Sequence, residues 1–134
     1  MTLYKLFTIQ EATSLIPTVD GLLTEMQGVA TDLAAVRARL GEVKPFSVEA
    51  RNAEQEFHFL LTQLHQAKAR LDELGVFVKD FETGVVEFPT QLHGEVVCLA
   101  WEKGQEQITH YHRFGEESAK PLPQARVERS AVGA

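Results

Sequence analysis

Apolar residues at Ala12, Leu15, Ile16, Val19, Leu22, Leu23, Met26, Ala30, Leu33 and Leu40 recur at helical spacing. The pattern predicts a long first helix. Thr8 and Glu11 mark its start as a capping box, in which the hydroxyl accepts one orphan amide hydrogen and the carboxylate reaches back to another. Pro17 sits inside the pattern, removes one backbone donor and is expected to kink or interrupt the helix. Gly41 and Pro45 close it. A second stripe, Ala50, Ala53, Phe57, Leu60, Leu61, Leu64, Ala67, Leu71 and Leu74, follows Ser47 as N-cap and stops at Gly75. The short linker from Gly41 to Phe46 requires antiparallel neighbours.

The period then changes. Val76 to Asp80 and Val85 to Phe88 read as strands, the second stopped by Pro89. Gln91 to Gly94 reads as a loop with His93-Gly94 at the bend. Glu95 to Glu102 is apolar on both faces and is predicted to be the central strand; Glu106 to Phe114 returns as the last one. The fold class is therefore α+β: a long antiparallel two-helix hairpin over 8–75, then a small antiparallel β-sheet of about four strands over 76–114. Residues 1–115 form the expected single domain. Residues 116–134 lose periodicity and are expected to be a disordered tail.

The back of the first helix changes this picture. Ser14, Gly21, Gly28 and Ala35 recur every seven residues, flanked by Pro17, Thr24, Thr31 and Ala38. Glycine costs about 1 kcal/mol in a helix interior, so two of them point to close approach by another backbone. Phe59 points away from the stripe of its own helix. Gly21, Gly28 and Phe59 are thus the candidate interface residues, and the expectation is a homodimer built as a four-helix bundle.

Composition narrows the partners. A net charge of −6, with no basic cluster, argues against nucleic acid. No apolar run is long enough to span a bilayer and the N-terminus lacks a signal-peptide core, so a cytoplasmic protein is expected. One cysteine, Cys98, rules out an internal disulfide and any CxxC metal knuckle.

The candidate chemistry is His110-x-His112, because residues two apart on a strand share a face and two imidazoles can converge on one ion. Glu87 on a neighbouring strand is a third candidate ligand, and Zn²⁺ the first ion to consider. One strand register sets Cys98 opposite His110; a shift by one sets Glu95 opposite His112. A Cys98–His110 nucleophile pair needs the first register, but a thiol in an apolar run is ordinarily inert. His58 and His65 fall on the polar side of the second helix, and Trp101 reads as core. No phosphate-binding glycine loop is present.

Val78-Lys79-Asp80 followed by Gly84-Val85-Val86-Glu87-Phe88-Pro89 forms one motif. Cys98 and Trp101 with Gly104, Glu106, Ile108, Tyr111 and His112 form another. Together with Glu11-Ala12 ahead of Leu15-Ile16-Pro17, these make Phe7 to about Phe114 similar to the small bacterial proteins grouped as domain of unknown function 2203. The resemblance implies a soluble bacterial protein and brings no activity with it. The leading expectation is a non-enzymatic interaction or scaffold protein that self-associates through its helical hairpin. The alternative is a small metal-binding protein, conceivably a metal-dependent hydrolase, with His-x-His on the last strand.

Overall fold

The computed structural model describes residues 5–116 and 118–123. The elements in chain order are α1 (Ile9–Leu40), α2 (Val48–Leu74), β1 (Phe77–Asp80), β2 (Val85–Leu92), β3 (Glu95–Glu102), β4 (His110–Arg113) and β5 (Lys120–Pro121). The chain divides into two compact units. One is Thr18–Leu74; the other joins the described residues up to Pro17 with those from Gly75 onward.

The helical unit is held by a heptad seam. On α1, Val19, Leu22, Met26, Val29, Leu33, Val36 and Leu40 alternate three and four residues apart; on α2, Ala50, Ala53, Phe57, Leu60, Leu64, Ala67, Leu71 and Leu74 do the same. That 3.5-residue period keeps both stripes on one seam. Val29, Val36, Ala53 and Leu60 form its buried centre, with Leu33, Leu40, Phe57 and Leu64 packed around them. Arg39 meets Glu56 at 2.6 Å near the connecting loop, and Glu25 lies 3.9 Å from Arg70 further along, as antiparallel neighbours must. These ion pairs are exposed and add little stability. Both helix starts form as the residues predict. Glu11 accepts from the Thr8 amide at 2.9 Å while the Thr8 hydroxyl accepts from the Glu11 amide at 3.0 Å. The first bond, made by the ionised form, holds the Glu11 carboxyl below its ordinary range. The Ser47 hydroxyl accepts from the Ala50 amide at 3.1 Å. Pro17 does not interrupt α1, which continues through it, but it marks the boundary between the two units.

The sheet has five strands in the order β1-β2-β3-β4-β5, all neighbours antiparallel, with β3 in the middle. It therefore exceeds the expected four by one: Lys120–Pro121 pairs with β4, and Leu122, inside the stretch expected as tail, is buried. Residues 124–134 lie outside the described part. The last long strand is shorter than predicted, because Gln105 caps the end of β3. Its amide donates to the Glu102 carbonyl and its carbonyl accepts from the Trp101 indole. Strand pairing then resumes only at His110.

Pro89 does not end β2, which runs on to Leu92. The reason lies at the sheet edge. Phe7 donates its amide to the Pro89 carbonyl at 2.7 Å, so the imino nitrogen of Pro89 faces the same side, away from β3. The reciprocal bond that proline cannot make is supplied by Thr90, whose buried hydroxyl donates to the Phe7 carbonyl at 2.5 Å. The chain just ahead of α1 thus pairs with the sheet at Phe7, whose ring meets Phe88 edge-on. The β2–β3 turn shrinks to His93-Gly94, both at positive φ (52° and 78°), the pattern of a type I′ hairpin. Register puts Val86, Phe88, Thr90, Val97, Leu99 and Trp101 on one buried face.

Candidate functional site

The opposite face of the sheet carries the titratable residues. Alternation places Glu87 and Pro89 on β2, Cys98 and Ala100 on β3, and His110 and His112 on β4 together. The register is neither of the two considered from sequence: Cys98 stands opposite His112, and Ala100 opposite His110. The loop after Glu102 sets it, and no local pattern there fixes its length. Glu95 does not face His112; its carboxylate accepts from Arg113 at 3.0 and 3.1 Å.

Cys98 and Ala100 are small, so side chains from the flanking strands meet over the central one. The Glu87 carboxylate pairs with Nε2 of His112 across β3. Nδ1 of His112 lies 3.0 Å from the Arg113 carbonyl, which can only accept, so it carries a hydrogen. The other ring nitrogen, Nε2, is the one that meets the carboxylate. His112 is buried and Glu87 nearly so. Lys79, missed by the sequence reading, approaches the same carboxylate to 4.0 Å from β1. Its signal was present: on a strand paired with β2, a lysine two residues from Phe77 shares the face of Glu87.

Beneath this pair, Cys98 is fully buried. Burial pushes its thiol up to about 12, and the Glu87 charge adds to the effect while Lys79 opposes it. The thiol is held protonated, the reverse of what a nucleophile needs. His110 stands apart: it is exposed, and its Nδ1 pairs with the Thr109 hydroxyl at 2.8 Å. Of the three candidate ligands, the fold joins Glu87 with His112 and leaves His110 beside them. Among the described residues, no three His, Cys, Asp or Glu side chains converge as a metal site would require. With both ring nitrogens of His112 engaged, the arrangement as folded acts as a brace across three strands.

The second candidate surface lies on the helical unit. Gly21 and Gly28 are exposed, and a Cβ added at either would meet no atom within 4 Å. The close backbone approach expected of them is not made among the described residues. Thr24 and Thr31 turn their hydroxyls onto the Asp20 and Gln27 carbonyls at 2.9 and 3.0 Å. Within this unit the row Gly21, Thr24, Gly28, Thr31, Ala35, Ala38 is exposed, uncharged and spaced alternately three and four apart. Phe59 on α2 is 64% exposed.

Two features escaped the sequence reading. Phe46, at the tip of the hairpin, is 93% exposed. A cavity of about 420 Å³ opens in the sheet unit, walled largely by Leu6, Ile9, Leu92 and Leu99, with Thr90 and Gln91 contributing polar edges. No helix among the described residues is long and apolar enough to cross a membrane. The model of the family described as "Uncharacterized conserved protein (DUF2203)" matches residues 5–120. No curated protein and no solved structure matches the chain.

Proposed function

The chain belongs to the DUF2203 family of uncharacterized conserved proteins, and we propose that it acts without catalysis, as an interaction module that self-associates through the outer face of its helical hairpin. One observation carries this reading: the exposed, uncharged heptad row from Gly21 to Ala38 on the back of α1. Two glycines in that row forfeit roughly 2 kcal/mol of helix propensity at about 1 kcal/mol each, and no packing among the described residues offsets the loss. A second helix seated on the row would offset it, because small residues let backbones approach and the inward-turned Thr hydroxyls need no water. Phe59 adds an apolar side chain on the other helix.

Light scattering coupled to size-exclusion chromatography tests the proposal. The wild type should run at twice the monomer mass in the tens of micromolar. Gly28→Arg should run as a monomer with unchanged helical circular dichroism. A wild type that stays monomeric at high micromolar concentration overturns it.

A second reading, a metal-binding protein, keeps one support: Glu87 and His112 are adjacent on one face. An ion such as Zn²⁺ would have to displace their mutual bond and recruit further ligands. Elemental analysis of protein purified without chelator or tag decides it; stoichiometric metal lost in His112→Ala favours it, and metal content unaffected by that change ends it.

A further inference from the structure

The outer side of α2 carries a row that the seam with α1 does not use. Asn52, Gln55, Phe59, Thr62, Gln66 and Ala69 alternate three and four residues apart, and all are exposed and uncharged. Such spacing keeps one ridge of a helix in line. At about 1.5 Å per residue the ridge is roughly 25 Å long. The helix is not short of charge, but Glu49, Arg51, Glu54, Glu56, Lys68, Arg70 and Asp72 all lie off the row. A solvated helix side ordinarily carries such residues. Here its middle holds Phe59, 64% exposed. The Thr62 hydroxyl already donates to the His58 carbonyl at 3.0 Å, so covering it strands no donor.

The flanks of the row change sign from end to end. Arg51, His58, His65 and Asp72 follow one side, and Glu49, Glu56, Gln63 and Arg70 the other. Two copies of α2 laid antiparallel bring like flanks together. With the twofold axis between Phe59 and Thr62, Asn52 faces Ala69 of the second copy, Gln55 faces Gln66 and Phe59 faces Thr62. Arg51 then meets Asp72, and Glu49 meets Arg70, at both ends of the contact. A parallel pairing joins unlike flanks instead: Arg51 gains Glu56, but His65 falls beside Arg70. Glu49 and Arg51 make no ion pair among the described residues. Arg70 and Asp72 make only exposed ones, with Glu25 at 3.9 Å and Lys68 at 3.2 Å.

We infer that the outer row of α2 docks on the same row of a second copy, antiparallel, about a twofold axis between Phe59 and Thr62. Phe59 and the row supply the buried surface, and the charges at the ends set orientation and register more than strength. The contact is separate from the α1 row proposed above. A dimer made through α1 therefore gathers further copies through α2 as concentration rises.

Gly28→Arg takes the α1 row out of play and is the background for the test. In sedimentation equilibrium it should dimerise at roughly 0.1–1 mM. Arg51→Asp and Asp72→Arg, each added to it, should raise the dissociation constant about fivefold or more. Combined, they should return it to within about twofold of the background. The two positions are roughly 30 Å apart on one helix, so only contact between copies can restore it. An equimolar mixture of Gln55→Cys and Gln66→Cys should form the mixed disulfide in preference to either like pair. A swap no tighter than its single parents, or a preference for like pairs, refutes the antiparallel contact. Gly28→Arg that stays monomeric to about 1 mM, beside a dimeric wild type, removes the α2 contact and leaves the α1 row standing. Gly28→Arg that is dimeric in the tens of micromolar and made monomeric by Phe59→Asp does the reverse.

Discussion

Glu87→Ala removes the carboxylate that meets His112 across β3, and its cost can be worked out from the geometry. The imidazole is 6% exposed, so water cannot fully replace the lost partner. A hydrogen bond involving a charged group contributes roughly 1.5–3 kcal/mol, and stranding a buried polar atom costs about 1–3 kcal/mol; the two overlap, giving about 2–4 kcal/mol in total. The Nδ1 bond to the Arg113 carbonyl survives, which keeps the loss below that of a fully orphaned ring. With a urea m-value of about 2 kcal/mol/M, the middle of the range for a small protein, the midpoint should fall by roughly 1–2 M. The single tryptophan, Trp101, is buried on β3 in the same sheet, so its fluorescence reports this unit directly. Glu87→Gln should lose less than about 1 kcal/mol, because either end of the amide can partner Nε2. Lys79→Ala should stay within about 0.5 kcal/mol, its contact being long and exposed. A midpoint shift under about 0.3 M for Glu87→Ala, or equal losses for Ala and Gln, would refute the brace.

Two further outcomes follow from the same sheet. Native Cys98 should resist a thiol-specific chromogenic disulfide at about pH 8 and react promptly once unfolded, since it is buried and its thiol is pushed up to about 12. The unfolded chain's thiol ionises near its ordinary 9.0, so between pH 9 and 12 the unfolded state binds fewer protons. Stability from this group is therefore complete below pH 9 and falls as pH rises toward 12, a slope that Cys98→Ala should lack in urea titrations. Thr90→Val preserves shape but orphans the Phe7 carbonyl; it should cost about 1–3 kcal/mol and speed amide exchange at Phe7, and unchanged exchange would show that the edge does not depend on the hydroxyl.

Much of the architecture is written in short-range pattern. The Thr8–Glu11 capping box, the Ser47 cap, the Gly75 stop at φ 87°, the His93-Gly94 turn and the limits of β3 all depend on residues within four positions of one another. Local backbone chemistry decides such features before any tertiary contact forms. Val29 and Val36 were also legible, had the seam been read at 3.5 rather than 3.6 residues per turn.

Other features needed the assembled chain. The partnership of Glu87 with His112 depends on the register of β3 with β4, and that depends on how residues 103–109 turn between them. Pro89 can sit inside a strand only because its missing donor faces Phe7, a residue far away in sequence, with Thr90 there to supply the hydrogen. Side-chain period and caps act over one turn or one pleat, so the sequence alone determined the elements and the faces they would bury. Which polar groups meet across those elements is settled by pairing partners distant along the chain, and that only the tertiary structure decided.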